Sequence, residues 1–205
     1  YAEIGVDIGS TGVLRSSFDI SAIALNPRGL SYDGNDAYFT ASMLSGGVET
    51  NPRIHRTLGW SSTIRATLFP SLGSRPRGVC WDGRDILWAD EQTRAHYKLD
   101  GFTSTVKDTK VLEGISTDLG GLTWTGGDCL WVGGNNSMNE GLIYRRSGFG
   151  GPIVDSVSSA HLGGTIEVPA VDVTWAQSNL ITSGGMEVGD AGGVSRRVGW
   201  SSTHD

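Results

Sequence analysis

Pro76-Arg77-Gly78-Val79-Cys80-Trp81-Asp82-Gly83-Arg84-Asp85-Ile86-Leu87-Trp88-Ala89-Asp90 is the stretch that decides the fold. It reads as two short apolar strands around a tight Asp-Gly turn, because a two-residue hairpin loop needs positive φ, which Asp and above all Gly supply cheaply. The phrase recurs. Upstream it is Pro27-Arg28-Gly29-Leu30-Ser31-Tyr32-Asp33-Gly34-Asn35-Asp36-Ala37-Tyr38-Phe39, and downstream it is Gly121-Leu122-Thr123-Trp124-Thr125-Gly126-Gly127-Asp128-Cys129-Leu130-Trp131. A worn fourth copy runs from Val173 to Ile181, with Asp172 in the place of the glycine and Ala176-Gln177 in the place of Asp-Gly. The aromatic anchors Tyr32, Trp81, Trp124 and Trp175 fall 49, 43 and 51 residues apart.

A period of that size, built from short strands, marks a repeat architecture with room for about four strands per copy. Third strands fall at Arg53–Arg56, Ala95–Leu99, Leu142–Arg146 and Val194–Arg197, and outer strands at Trp60–Phe69, Thr103–Leu112 and Ile153–Val157. No helical period appears. One surplus strand remains near the front, Leu14–Leu25, alternating apolar and polar from Phe18. Near the back, Gly199-Trp200-Ser201-Ser202-Thr203 repeats Gly59-Trp60-Ser61-Ser62-Thr63, which in the first copy runs on into an outer strand. The expected fold is therefore all-β: a four-bladed β-propeller over 14–205, with four antiparallel strands per blade. Pairing of the N-terminal strand with the last blade would close the ring and leave no sheet edge free. An N-terminal arm, 1–13, would precede it.

The chain of 205 residues carries a net charge of −6 and a pI near 5.1. That balance argues against nucleic acid as a partner, since phosphate binding needs a basic field. No apolar run approaches the ~20 residues that span a bilayer, so no membrane insertion is expected. Cys80 and Cys129 stand in different copies and read as buried thiols rather than a disulfide framework. Gly5-Val6-Asp7-Ile8-Gly9-Ser10-Thr11-Gly12 resembles the first phosphate loop of sugar-kinase and actin-like ATPases, over eight residues only. Nothing downstream supplies their further phosphate motifs, so it reads as a Gly-rich arm that docks on a neighbour, and no cofactor is expected.

Catalytic signatures are missing: no Gly-x-Ser-x-Gly, His-Glu-x-x-His, Cys-x-x-Cys or Walker loop occurs. No catalytic residue and no metal site is expected. His55, His96, His161 and His204 read as satisfied or solvent-facing. Asp36, Asp85, Asp128 and Asn179 recur four residues after each anchor, as side chains that cap the hairpin turn would; repeated metal ligation is the alternative. The rings of Trp81, Trp88, Trp124, Trp131, Tyr32, Tyr38 and Phe39 are expected to fill the space between blades.

Binding is expected on the loops between second and third strands, Ser42–Asn51, Asp90–Arg94, Gly133–Glu140 and Gly184–Gly192, which differ in length and content. The candidate residues are Met43, Glu49, Asp90, Glu91, Arg94, Asn135, Asn136, Met138, Glu140, Met186 and Glu187. That face should be acidic, and it carries every methionine of the chain, whose flexible thioethers suit adaptable contacts. Arg28 and Arg77, in the paired Pro-Arg-Gly phrases, should lie near the central channel, either paired with carboxylates or offering a cationic spot.

The repeated phrase resembles the degenerate propeller repeats of NHL, lactonase-like and YncE-like proteins. It is most similar to the Gly-Leu-x-Trp-Asp-Gly repeats of virion and tail proteins of bacterial viruses and of bacterial surface proteins. The resemblance implies a non-enzymatic assembly or attachment module on a virion or cell surface, present in multiple copies among other virion or surface proteins. A host glycan or receptor is a further implied partner. A secreted or surface lectin is the alternative, although it would want equivalent pockets and these loops are not equivalent. The lactonase-like resemblance would bring a hydrolase with Ca²⁺ held by Glu, Asn and Asp in the funnel of a usually six-bladed ring, and no such set can be picked here.

Overall fold

Three of the hairpin phrases fold alike, and the turn itself shows why. In each, the backbone N–H of the residue after the anchor bonds the carbonyl three residues on: Asp33 to Asp36 at 3.2 Å, Asp82 to Asp85 at 3.1 Å, Thr125 to Asp128 at 3.0 Å. The two loop residues are thus Gly34-Asn35, Gly83-Arg84 and Gly126-Gly127. Only the first of each has positive φ (93°, 99° and 97°), the sign pattern of a type II′ turn. The aspartate expected inside the loop instead flanks it. Its Oδ1 accepts two N–H groups across the turn, from Asn35 and Asp36 onto Asp33 (2.8 and 2.7 Å), and from Arg84 and Asp85 onto Asp82 (2.9 and 2.7 Å). In the third copy the Thr125 hydroxyl takes this place and accepts the Asp128 N–H.

The computed structural model describes residues 3–7, 14–23, 26–45, 48–112, 114, 118–135, 140–158, 172–176, 185–189 and 195–199, the first and the last three of these segments, with 14–17 and the ends of several others, by their backbone. All elements among them are strands, in antiparallel sheets. Blade 1 is β3 (Asn26–Tyr32), β4 (Ala37–Ser45), β5 (Val48–Thr57) and β6 (Ile64–Leu68). Blade 2 is β7 (Pro76–Trp81), β8 (Ile86–Asp90), β9 (Ala95–Leu99) and β10 (Val106–Val111); blade 3 is β11 (Asp118–Trp124), β12 (Asp128–Asn135), β13 (Glu140–Ser147) and β14 (Ile153–Ser158). A fourth sheet joins β15 (Asp172–Ala176), β16 (Gly185–Gly189) and β17 (Ser195–Gly199). The inner strands β3, β7, β11 and β15 lie side by side in that order. This is the expected propeller, with three complete blades and a fourth sheet of three strands.

At two places the described pairings differ from those expected. First, the strand at the front of the chain, β2 (Leu14–Asp19), pairs with β1 (Glu3–Asp7), from Glu3 opposite Asp19 to Asp7 opposite Leu14. The expected pairing with the last blade is not among the described pairings. A partner a few residues away costs far less loop-closure entropy than one at the other end of the chain. Second, the strand that pairs with β15 in the fourth copy is β16 (Gly185–Gly189), beyond the phrase that ends at Ile181. Ala176 pairs with Gly185, so eight residues stand where the other copies have four. Without the Asp-Gly dipeptide the II′ turn has no residue for its positive-φ position.

The inner strand of each of the three complete blades bulges at one place. Register skips between Pro27 and Leu30, Pro76 and Val79, and Leu119 and Leu122, each time inserting one extra residue. The glycine there is required by proximity: a Cβ on Gly29 would land on the Arg77 carbonyl, and one on Gly78 on the backbone nitrogen of Leu122. Neighbouring blades touch backbone to backbone at the axis. Thr40 ties the first such contact, its hydroxyl accepting from Gly29 N–H (2.8 Å) and donating to the Arg77 carbonyl (2.6 Å).

The core lies in the seams between blades. Tyr38, Ile54 and Leu68 of blade 1 meet Val79, Ile86, Trp88, Ala95, Tyr97 and Leu99 of blade 2. Cys80, Leu87 and Ala89 of blade 2, with Leu112, meet Leu122, Cys129, Trp131 and Tyr144 of blade 3. Before blade 1, Phe39 and Ala41 pack with Ile20, Phe18 and Trp60. A ring pair recurs at each seam: Phe39 tilted against His55 (4.9 Å), and Trp88 on Tyr97 and Trp131 on Tyr144 stacked (both 5.1 Å). Trp88 and Trp131 are fully buried, each burial contributing roughly 4–6 kcal/mol before entropy is counted. Tyr32 departs from the expected aromatic glue: it is half exposed, its edge against Trp60.

Candidate binding face

Strand direction sorts the turns onto two ends. One end holds the II′ hairpins and the turns between third and outer strands; the other holds the connections between second and third strands and between blades.

The hairpin end repeats a single device. Asp36, buried on the first turn of blade 1, accepts from Arg56 on the third strand (2.7 Å), from Arg65 on the outer strand (2.8 Å) and from the Gly59 N–H (2.8 Å). In blade 2, Asp85 accepts from Lys107 (2.8 Å) and from the Gly101 N–H (2.9 Å), with Lys98 at 3.4 Å. In blade 3, Asp128 keeps only Arg145 (2.6 Å), Val154 standing where the outer-strand cation was. These aspartates therefore pin the neighbouring turn rather than cap their own. The Gly59 N–H above all, then the two guanidinium groups, hold Asp36 below the usual carboxylate range against the opposing effect of burial. For Asp85 burial acts upward, but Lys107 and the Gly101 N–H outweigh it and bring the carboxyl to about 2. Among the described residues no group of three His, Cys, Asp or Glu is placed to hold a metal.

The loop end differs between the blades where it is described. In blade 1 most of Ser42–Asn51 is not loop: β4 and β5 run on as a hairpin, with Met43 opposite Thr50 and Leu44 opposite Glu49. Met43 is exposed, and its sulfur lies 3.3 Å from Arg53 Nη2. The Arg53 guanidinium stands 5.4 Å over the ring of Phe69, which is 58% exposed, and Leu72 is exposed in the same connection to blade 2. Phe69 and Leu72 were not singled out by sequence, because one closes an outer strand and the other follows it without any motif.

In blade 2 the expected ligand-facing acids are occupied. Asp90 is fully buried, its carboxylate accepting from the Arg75 N–H (2.8 Å), the Thr93 N–H (2.9 Å) and the Thr93 hydroxyl (3.0 Å). Glu91 pairs with Arg77 (Nε at 2.5 Å) and Arg75 (3.3 Å). Arg77, expected near the channel, thus reaches the loop end, while Arg28 is exposed on β3. Arg94 is exposed with φ of 51°, and its carbonyl accepts the Leu112 N–H. Of the other candidates, Asn135 ends β12 and Glu140 begins β13, paired with each other. Met186 and Glu187 lie within strand β16, opposite Trp175 and Thr174, rather than on a loop. Asn136 and Met138 lie outside the described residues, as do His161 and His204.

Of the described histidines, His55 is satisfied at one ring nitrogen and His96 at neither. His55 and His96 are buried, not solvent-facing. Nδ1 of His55 meets the Thr67 hydroxyl at 2.9 Å, but neither ring nitrogen of His96 has a hydrogen-bond partner among the described residues. Burial first, and then a nearby arginine (Arg53 for His55, Arg146 for His96), push them down to about 4 and about 3. Cys80 and Cys129 are free and buried, and burial raises both thiols, Cys129 to about 12.

No protein-family model matches the chain, and no curated protein sequence does. Solved structures match by shape. Glutaminyl cyclase from Myxococcus xanthus is 12% identical over 80% of this chain and 62% of that one, with a TM-score of 0.52. The WD40 β-propeller domain of Doa1 gives 13% over 85% and 63%, at 0.49, and a nidogen/laminin complex 20% over 65% and 48%, at 0.48. The chain spans from about half to just under two thirds of the length of these matches. Identities this low speak to the fold alone. The chain is a β-propeller repeat protein, of a fold that carries enzymes and interaction modules alike.

Proposed function

We propose that the chain is a non-catalytic binding module whose loop end holds other proteins, including further copies of itself. The observation that carries this is the exposed rib Met43–Arg53–Phe69, with Leu72 beside it. Methionine, arginine and aromatic side chains are the types enriched in protein interfaces, and a guanidinium already set on a ring costs little to order on binding. The charged groups around it favour the same reading, since Asp90 is held by the Arg75 and Thr93 N–H groups and Glu91 pairs with Arg75 and Arg77, which leaves the apolar rib as the adhesive part of the surface. The repeat phrase extends the proposal to a setting: a virion or a cell surface, with the propeller present in multiple copies and contacting other virion or surface proteins.

The test is sedimentation velocity over a wide concentration range, with a glycan array run on the same protein. Reversible self-association with a blank array is the expected outcome. A chain that stays monomeric throughout and binds an arrayed glycan would make it a lectin instead.

A further inference from the structure

Laying the three complete blades over one another exposes two residues out of keeping with their positions. Cross-strand pairing sets Arg146 (opposite Cys129) where blade 2 has Leu99 (opposite Ile86) and blade 1 has Thr57 (opposite Ala37). It sets His96 (opposite Ala89) where blades 1 and 3 have Ile54 and Ile143. Both departures turn toward the same seam, between blades 2 and 3, and both touch one indole. The Arg146 guanidinium stands 4.9 Å over the Trp131 ring and the His96 ring meets it edge-on at 5.1 Å.

The groups around that indole are short of acceptors. Arg146 is 5% exposed, makes no ion pair among the described residues, and has one long hydrogen bond, Nη1 to the Phe149 carbonyl at 3.5 Å. Its Nε, the Trp131 Nε1 and both ring nitrogens of His96 are buried without a partner among the described residues. The carboxylate that Arg146 feels, Asp108, stands on the outer strand and pairs with Lys110 at 3.4 Å. A buried guanidinium without a counter-charge costs several kcal/mol, and a repeat that uses Leu at the equivalent position has an inexpensive alternative. Arginine here calls for an acceptor-only species of negative charge.

We propose that the seam between blades 2 and 3 holds a small monovalent anion of the size and charge of chloride against Arg146 and His96. The N–H groups of the guanidinium, the indole and the neutral imidazole donate, and the surrounding Cys80, Leu87, Cys129 and Phe149 exclude water. Such an ion would fasten blade 2 to blade 3 without touching the surface used for binding.

The experiment is thermal unfolding of the full chain in sodium chloride against sodium gluconate at equal ionic strength, gluconate being too large for the seam. A saturable rise of several degrees in Tm with chloride is expected, absent in Arg146→Leu, which places the blade 2 residue in blade 3. An equal chloride response in Arg146→Leu, or no difference between the salts in the wild type, would overturn it. Bromide anomalous scattering from wild-type crystals gives a reading that does not depend on the variant folding: a peak beside Arg146 is expected, and its absence overturns the site.

Discussion

The two ends of the propeller are built by opposite rules. On the hairpin end the same parts recur: a II′ turn with glycine first, a carboxylate four residues after the anchor, and a third-strand cation bonded to it. Asp36 with Arg56 and Asp128 with Arg145 are one device used twice, and Asp85 with Lys98 and Lys107 is its middle version. On the loop end the two described connections share no part. Blade 1 extends a hairpin and sets an arginine between a thioether and a ring, whereas blade 2 closes a short turn over a buried aspartate. Repetition here marks what each blade needs in order to fold, and departure from it marks what one blade does alone.

The comparison breaks most readily at Asp85. Asp85→Ala removes the acceptor for Lys107 and for the Gly101 N–H and leaves Lys98 with Asp82 only. A loss of about 3 kcal/mol is expected in urea unfolding, as for breaking a buried pair from one side. Next comes pH. His55 and His96 are held neutral in the fold, near 4 and 3, while an unfolded histidine titrates at about 6.5. Their folded values are depressed, so the stability they contribute is complete above about pH 6.5 and is lost as pH falls from there toward 4 and 3. Asp85, near 2 in the fold against about 3.9 unfolded, adds a second loss between those values. Urea midpoints should therefore fall from about pH 6 downward, by up to about 1.4 kcal/mol per pH unit for each proton taken up. His96→Ile, the residue of the other blades, should flatten the upper part of that limb.

Asp128→Ala should cost less, about 1 kcal/mol, because its partnership with Arg145 is partly exposed and lacks both an outer-strand cation and a turn N–H. At the loop end, Phe69→Ser should change stability by less than about 0.5 kcal/mol while weakening self-association by tenfold or more. A stability loss at Phe69 as large as that at Asp85 would erase the distinction between the ends.

Much of this was legible in the chain. The glycine of each turn, the aromatic anchors and the third strand Ala95–Leu99 gave away three blades, because period-2 alternation and II′ turn chemistry are local properties. Ring closure was not legible. Glu3–Asp7 alternates as a strand should, yet it sits in a Gly-rich stretch that reads as an arm, and which partner β2 takes is a contest between local and distant pairing. The loop end was half legible. The ends of the second strands can be placed from the pattern, but side-chain chemistry alone could not tell that β4 and β5 run on as a hairpin, that Asp90 staples its own turn or that Met186 lies in a strand. Arg146 and His96 carried a readable signal, since aligning third strands sets them against leucine, threonine and isoleucine. Only the fold shows that the guanidinium of one and the imidazole of the other meet at Trp131.

Two exposed apolar side chains at opposite ends allow the most direct test. Phe69 is 58% exposed at the loop end and Leu58 is 52% exposed beside the third-to-outer-strand turn of the hairpin end. Sedimentation velocity of Phe69→Glu and Leu58→Glu compares them at equal cost in charge. Phe69→Glu should sediment as monomer while Leu58→Glu associates like the wild type; association lost in Leu58→Glu and kept in Phe69→Glu would contradict the assignment of binding to the loop end.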